Sequence, residues 1–367
     1  MRDVIIIGGG IMGLLTAREL RKTGRRVTII EKGRTGAGAT WASAGIISAH
    51  GTSGSADIAG PPGLRLRTAS NEEWAHLAED IAEESGTDIE YSLNGVLLIA
   101  LDEEEAHGIQ EKARAREWGE VEWMPPDVLR SEEPCLSTEL AGALLVAGGN
   151  LEVRKLGPGL EIACRRLGVE IITGCAVEEI LSEGNKITGV RADAEILEAP
   201  AVFVCAGIGS RSVPGSVPRA PITPQRGQML AMDARALGLK RVVLTVNDPY
   251  LVPRADGRVL LGATREFAGE DPRLTVGGLS WLLSEGIRIA PGIAACAIEE
   301  TWSGFRPTTS DYLPLIGEGA LEGLYFCTGH GPSGIGPAPA SVKLATALYL
   351  GDAPPIDPAP YDPMRFA

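Results

Sequence analysis

No apolar run in this sequence of 367 residues approaches the roughly 20 residues needed to cross a bilayer, so no integral membrane segment is expected. Basic clusters are missing too. The longest are the pairs Arg25-Arg26 and Arg165-Arg166, in a chain whose net charge is −14, which argues against a nucleic-acid partner. The four histidines (His50, His76, His107, His330) form no H-E-x-x-H pattern, and a metal centre has little support. The six cysteines are scattered, with no C-x-x-C pair, a pattern of reduced thiols in a cytoplasmic protein. No internal repeat or low-complexity tract appears. Chemistry in this chain must come largely from an organic cofactor.

The stretch that supplies a place for one is Val4 to Glu31, VIIIGGGIMGLLTARELRKTGRRVTIIE. Val4 to Ile7 is β-branched and apolar throughout, the composition of a strand buried on both faces. Gly8, Gly10 and Gly13 have G-x-G-x-x-G spacing, and helical periodicity follows through Ile11, Leu14, Leu15 and Leu20. Gly8 permits the tight turn, Gly10 lets backbone approach a pyrophosphate, and Gly13 lets helix and strand pack closely. Amides at the helix start favour phosphates. Glu31 closes the second β-rich run, where a carboxylate accepts from ribose hydroxyls. No secretory signal is expected here, because three glycines interrupt the run and Arg18, Glu19, Arg21 and Lys22 follow it.

The length allows two domains sharing a sizeable core. Gly33 to Gly45 is glycine- and alanine-rich and suits backbone passing close to a flat ligand. His50 to Gly63 reads as a mobile loop. A helix is expected from about Leu66 to Glu84, a strand over Gly95 to Ala100 and a charged helix over Glu103 to Glu117. Helix Leu156 to Leu167 and strand Val169 to Thr173 restore the alternation, with Cys175 to Ile180 continuing that strand after a turn and Ala201 to Cys205 forming another. Strands are expected at Gly227 to Met232, Val242 to Val246, Tyr250 to Val252 and Val259 to Gly262, with Asp256-Gly257 as a hairpin turn. They suggest a mostly antiparallel sheet, followed by a helix from Leu274 to Ile289. The proline-rich tail after Gly351 is expected to fray.

The order of motifs resembles the D-amino acid oxidase family of flavoproteins, above all its glycine oxidase branch. The matching pieces are VIIIGGGIMG…VTIIE, GATWASAG, VFVCAG, PQRGQ, DPYLVPRADGRVLLGAT, WSGFRPTTSDYLPLIG and TGHGPSGIGPAPA, weakest between about His50 and Gly149. The resemblance implies an α/β (α+β overall) fold. A Rossmann-like FAD-binding domain in several segments (1–80, 147–220 and 301–367) would face an antiparallel-sheet substrate domain (81–146 and 221–300). It also implies hydride transfer from a small amino acid, whether a D-amino acid, glycine or an N-methyl amino acid, to FAD. The product imino acid would hydrolyse to a keto acid and ammonia or amine.

On the residues, Arg306 can grip a carboxylate with two parallel hydrogen bonds, and the family's carboxylate-binding arginine falls there. Tyr250 matches the family's pocket tyrosine. His50, Arg254 and His330 are weaker pocket candidates: Arg254 by strand alternation from Tyr250, His330 as either a pocket or an interior histidine. The residues expected along FAD are Gly8, Gly10, Ile11, Met12, Gly13, Glu31, Lys32, Thr40, Ala42, Ser43, Ala44, Gly45, Ile46, Val177, Ala206 and Gly207. Gly331, Ser333, Gly334, Ile335 and Gly336 join them, at a helix start whose dipole would favour reduced flavin. Val177 is equally readable as ordinary core.

Two departures from the family pattern stand out. Glycine oxidases carry an arginine two residues after the loop histidine, where this chain has Pro332, which weighs against glycine as the preferred substrate. Related sarcosine oxidases attach flavin through a cysteine near Arg306. Arg306 to Leu315 contains none, so FAD is expected to be non-covalent. Oxygen or another electron acceptor, including a partner subunit, is compatible with these motifs, and homo-oligomer formation stays open. An RNA-modifying module and an NAD-dependent dehydrogenase remain the other readings.

Overall fold

The computed structural model describes residues 2–50, 54–115, 121–216 and 220–366, with the backbone alone for 54–58. Val4–Ile7 is the centre of a six-stranded sheet. Its neighbours are Val202–Val204 and then Leu324–Thr328 and Leu315–Glu318 on one side, and Val27–Glu31 and then Glu170–Thr173 on the other. All pairings are parallel except that of Leu315–Glu318 with Leu324–Thr328. Alternation explains the uniformly apolar strand. Val4 and Ile6 enter one core with the helices Ile11–Lys22, Val153–Arg166 and Ala338–Leu350, whereas Ile5 and Ile7 enter a second core on the other face.

That second face is covered by a three-stranded antiparallel sheet, Val177–Glu183, Lys186–Ala192 and Glu195–Glu198. The segment after Cys175 therefore does not continue the preceding strand. Glu178, Glu179 and Glu183 are exposed on it, and charges at that density do not fit a sheet buried on both faces.

A second, eight-stranded sheet runs in the order Ala297–Thr308, Thr223–Asp233, Arg258–Gly262, Tyr250–Pro253, Val242–Leu244, Val96–Ala100, Gly142–Val146, Val121–Met124. It is antiparallel but for one parallel pair, Val242–Leu244 with Val96–Ala100, and the expected hairpin at Asp256-Gly257 joins two of its strands. Leu230 and Met232 face the core under the helix Val276–Ile289. Met229, Ala231 and Tyr250 face the opposite core, toward the Trp41–Ile46 segment. The expected break at residue 301 falls inside the strand Ala297–Thr308, which stays in this sheet to its end.

The reading of His50 to Gly63 as a mobile loop is corrected where it can be followed. Residues 51–53 lie outside the described residues, and from Gly54 the chain is helical to Ser85, broken at Gly60 (φ 57°, ψ −155°). Pro61 and Pro62 occupy the first turn after that break, where no intrahelical donor is lost. Buried Arg18 anchors this long helix through Glu84 (2.6 Å) and Asp80 (2.5 Å). Trp74 Nε1 in turn donates to the Gly336 carbonyl at 2.9 Å. The helix thus props up the glycine-rich loop before Ala338–Leu350.

The tail is also docked rather than frayed. Tyr361 is 1% exposed, its hydroxyl donates to the Pro62 carbonyl at 2.7 Å, and Arg365 pairs with Asp311 at 2.9 Å. Replacing Tyr361 with Ala is expected to cost about 3 kcal/mol and lower the midpoint of urea unfolding. An unchanged midpoint would return the tail to the frayed state.

Candidate functional site

The turn after Val4–Ile7 is built for close approach. Gly8 has φ +107°, and a Cβ there would strike the Cys205 carbonyl, while a Cβ on Gly13 would overlap the Gly8 carbonyl. The helix Ile11–Lys22 can therefore seat directly on the strand, with Gly10 as an N-cap that carries no side chain of its own. Glu31 accepts from the amides of Gly9 and Gly33, both at 2.8 Å, tying the glycine turn to the end of the second strand. A carboxylate has about four acceptor positions, so ribose hydroxyls can still be bound. Ile11 N–H donates to the Thr40 hydroxyl at 3.0 Å, which draws the Ala39–Ala42 turn over the helix start.

A cavity of about 600 Å³ opens at this turn and runs to the eight-stranded sheet. Gly8, Gly10, Ile11, Met12, Glu31, Lys32, Thr40, Ala42, Ser43, Ala44, Gly45 and Ile46 line it. So do Val177, Ala206 and Gly207, and at the far end Gly331, Ser333, Gly334, Ile335 and Gly336. Gly13 stands behind the floor as a packing residue. A backbone-lined floor at a helix N-terminus, an acid at the next strand end and a long apolar channel fit an extended dinucleotide.

Segment 39–46 forms one wall because the second sheet lets it come close. A Cβ at Gly304 would collide with the Ala42 Cβ, and Trp302 Nε1 donates to the Ala42 carbonyl at 3.0 Å. Trp41 and Trp302 meet edge to face, and the Arg154 guanidinium lies against both rings, 4.2 and 4.8 Å from their centroids, and pairs with Glu300 at 2.6 Å.

At the sheet end, Tyr250 and Arg306 line the cavity with Gly227, Met229, Arg265, Ser303 and Phe305. The Arg306 guanidinium lies over Gly227 of the neighbouring strand and reaches beyond it, where Nη1 donates to the Thr264 carbonyl at 3.0 Å. Only glycine leaves room for it: a Cβ at Gly227 would sit 2.7–2.9 Å from the guanidinium atoms. Gly262 plays the same part for the Tyr250 ring and Met229. Burial raises the Tyr250 pKa despite the neighbouring Arg306, so the phenol stays neutral, and burial lowers that of Arg306, which Tyr250 partly offsets.

Three weaker candidates are placed differently. Arg254 is buried behind the wall, not in it: it donates to Asn150 Oδ1 (3.0 Å) and to the carbonyls of Leu151 (2.8 Å) and Ala44 (2.9 Å). It lies beyond the end of Tyr250–Pro253, so strand alternation no longer governs its direction. Among the described residues His50 also falls outside the lining, and burial lowers its pKa to about 4. His330 is both things the sequence allowed, for it lines the cavity and is buried against Ser341 Oγ at 3.0 Å. Sequence reasoning missed Arg67, Met229 and Arg265, which line the cavity. A lone arginine three residues past a strand carries no motif, and only tertiary packing turns Arg265 into the cavity.

Gly227→Ala is expected to displace Arg306 and weaken substrate binding roughly tenfold or more while flavin stays bound; an unchanged KM would show that Arg306 does not need this seat. Burial holds the His330 pKa down to about 3, against 6.5 when unperturbed. The unfolded chain takes up a proton below about pH 6.5 that the folded chain refuses. The His330 contribution to stability is therefore full above that pH and is lost as pH falls toward 3. Urea unfolding of His330→Gln between pH 6 and 4 should show a slope shallower than wild type by up to about 1.4 kcal/mol per pH unit; equal slopes would mean that His330 protonates in place.

The sequence profile of the FAD dependent oxidoreductase family (DAO) matches residues 3–348. The chain is 30% identical over 369 residues to a glycine oxidase of Pseudomonas aeruginosa, covering 98% of each. It is 32% identical over 355 residues to the bifunctional protein ThiO/ThiG of a Synechocystis species, covering 95% of this chain but only 51% of that protein. The solved glycine oxidase from Geobacillus kaustophilus superposes with a TM-score of 0.89 at 30% identity, over 98% of this chain and 97% of that one. The cofactor is thus FAD, and the chain belongs to the FAD dependent oxidoreductase family.

Proposed function

We propose that the chain oxidises the amine of a small amino acid with FAD as the electron acceptor. We also propose that the six-stranded sheet with its helices holds FAD and the eight-stranded sheet presents the substrate. The observation that carries the reading is the convergence of Arg306 and Tyr250 on the sheet end of a dinucleotide-sized cavity. Arg306 grips the substrate carboxylate through two N–H donors, and the neutral Tyr250 hydroxyl donates to the same group. Binding there fixes the α-carbon, and alignment rather than a base sets the rate.

No base stands at that end. Among the described residues the only carboxylate lining the cavity is Glu31, at the dinucleotide end, and His330 is held neutral and hydrogen-bonded. The substrate therefore reacts with its amine unprotonated, having given that proton to solvent. FAD supplies the acceptor for the α-hydrogen and its electron pair. The resulting C=N bond of the imino acid is hydrolysed by water to an α-keto acid and ammonia or an amine. The electrons leave to O2 or another acceptor.

Cys205 and Cys327 line the cavity from adjacent strands. Hydrogen bonding to Cys205 and burial push the Cys327 thiol well above its ordinary pKa. A protonated thiol is a poor nucleophile, which supports non-covalent FAD. Arg306→Leu should raise KM by roughly 100-fold, while flavin freed into the supernatant by acid precipitation stays at the wild-type level. An unchanged KM would remove Arg306 from the substrate site, and a yellow pellet would mean covalent flavin.

A further inference from the structure

We propose that Met229 is a positioning residue for Tyr250: its thioether holds the phenol hydrogen in a bond that the substrate carboxylate displaces. This deepens the amine-oxidation reading and rests on it.

The geometry comes from one row of residues across the eight-stranded sheet. Met229 on the strand Thr223–Asp233 stands opposite Gly262, and Tyr250 stands opposite the same glycine from the other side. Trp302 extends the row beyond Met229. Directly opposite residues point to one face, so Met229 and Tyr250 share a face with a single glycine between them. A Cβ at that glycine would lie 2.9 Å from Met229 Cγ and Cε and 3.1 Å from Tyr250 Cε2. Without it the two side chains meet, and the Tyr250 hydroxyl donates to Met229 Sδ at 3.6 Å. Met229 is 3% and Tyr250 9% exposed, and both line the cavity. The Arg306 guanidinium lies over Gly227, two residues before Met229 and on the same face of that strand.

The choice of acceptor has a consequence for binding. A thioether accepts only weakly, whereas a bond to a carboxylate is charge-assisted and roughly twice as strong as one between neutral groups. In the free protein the sulfur satisfies a buried hydroxyl that would be costly to leave unpaired. When a carboxylate arrives at Arg306, the hydroxyl turns from the sulfur to the carboxylate oxygen, with no bound water to displace. The phenol keeps its proton throughout, because burial outweighs the influence of Arg306. A strong neutral acceptor at position 229 would hold the same hydrogen and cancel most of the gain. The exchanged bond is made in the bound complex and retained in the transition state, so it acts on KM more than on kcat.

The test uses the purified holoenzyme. Acetate, a carboxylate without an amine, is titrated into the oxidised protein and its Kd read from the flavin spectrum. The titration is run for wild type, Met229→Leu and Met229→Gln, each with Tyr250 intact and with Tyr250→Phe. Tyr250→Phe should weaken acetate binding roughly tenfold or more in the wild-type background. The factor should be at least as large beside Met229→Leu, which removes the bond that is given up. It should shrink to less than about threefold beside Met229→Gln, whose amide oxygen retains the hydrogen. With an amine substrate, Met229→Gln should raise KM more than it lowers kcat. An equal Tyr250→Phe factor in wild type and Met229→Gln overturns the inference. Should Met229→Gln fail to hold flavin, a factor that vanishes beside Met229→Leu overturns it instead. Neither result touches amine oxidation, which fails separately if no amine bleaches the flavin under anaerobic conditions; the acetate titrations then still decide on Met229.

Discussion

The site depends on how closely one short backbone segment can lie against the edge of the eight-stranded sheet. Residues 39–46 leave the dinucleotide fold and press on the strand Ala297–Thr308, where Gly304 carries no side chain to resist Ala42. Three further contacts hold them there: Trp302 on the Ala42 carbonyl, Arg154 against two tryptophan rings, and Arg254 on the Ala44 carbonyl. A gap here would separate the glycine turn from Arg306 and Tyr250, which now line one cavity. Buried hydrogen bonds and a cation packed on two aromatic rings favour one arrangement because each partner left unmatched would be costly.

Glycine does the same work at the other close contacts. Gly13 admits the Gly8 carbonyl, Gly227 admits the Arg306 guanidinium, and Gly262 admits the Tyr250 ring. A methyl group at any of these positions meets an atom that matters to binding. The cavity is therefore shaped as much by missing side chains as by those present, and the apolar cores on either side of each sheet hold that shape.

Charge is distributed with a similar economy. The surface is acidic, yet Glu31 is the one carboxylate residue in the described lining of the cavity. His330 is present at the wall but buried into neutrality. Such a wall fits the proposed binding of an anionic substrate with proton transfer left to water, in a reaction whose acceptor is an organic cofactor.

Much of this was legible in the chain order of residues. Val4 to Glu31 specified strand, turn, helix and strand because alternation, glycine spacing and a terminal acid all act within 30 residues or so of each other, as did the hairpin at Asp256-Gly257. The motif-bearing residues Arg306, Tyr250 and the Gly331 to Gly336 loop were placed from the resemblance their neighbours carry, and the cavity gathers them. Local sequence could not tell that the strand after Cys175 leaves the parallel sheet, that Tyr361 docks on Pro62, or that Arg254 turns away from Tyr250. Nor could it bring Arg265 and Asp248 together beside Arg306. Those outcomes depend on contacts between segments far apart in sequence, where burial and pairing override local preference. The sequence by itself determined the cofactor cradle. The tertiary structure alone decided which side chains line the far end of the cavity, because a side chain's charge acts through space and not along the chain.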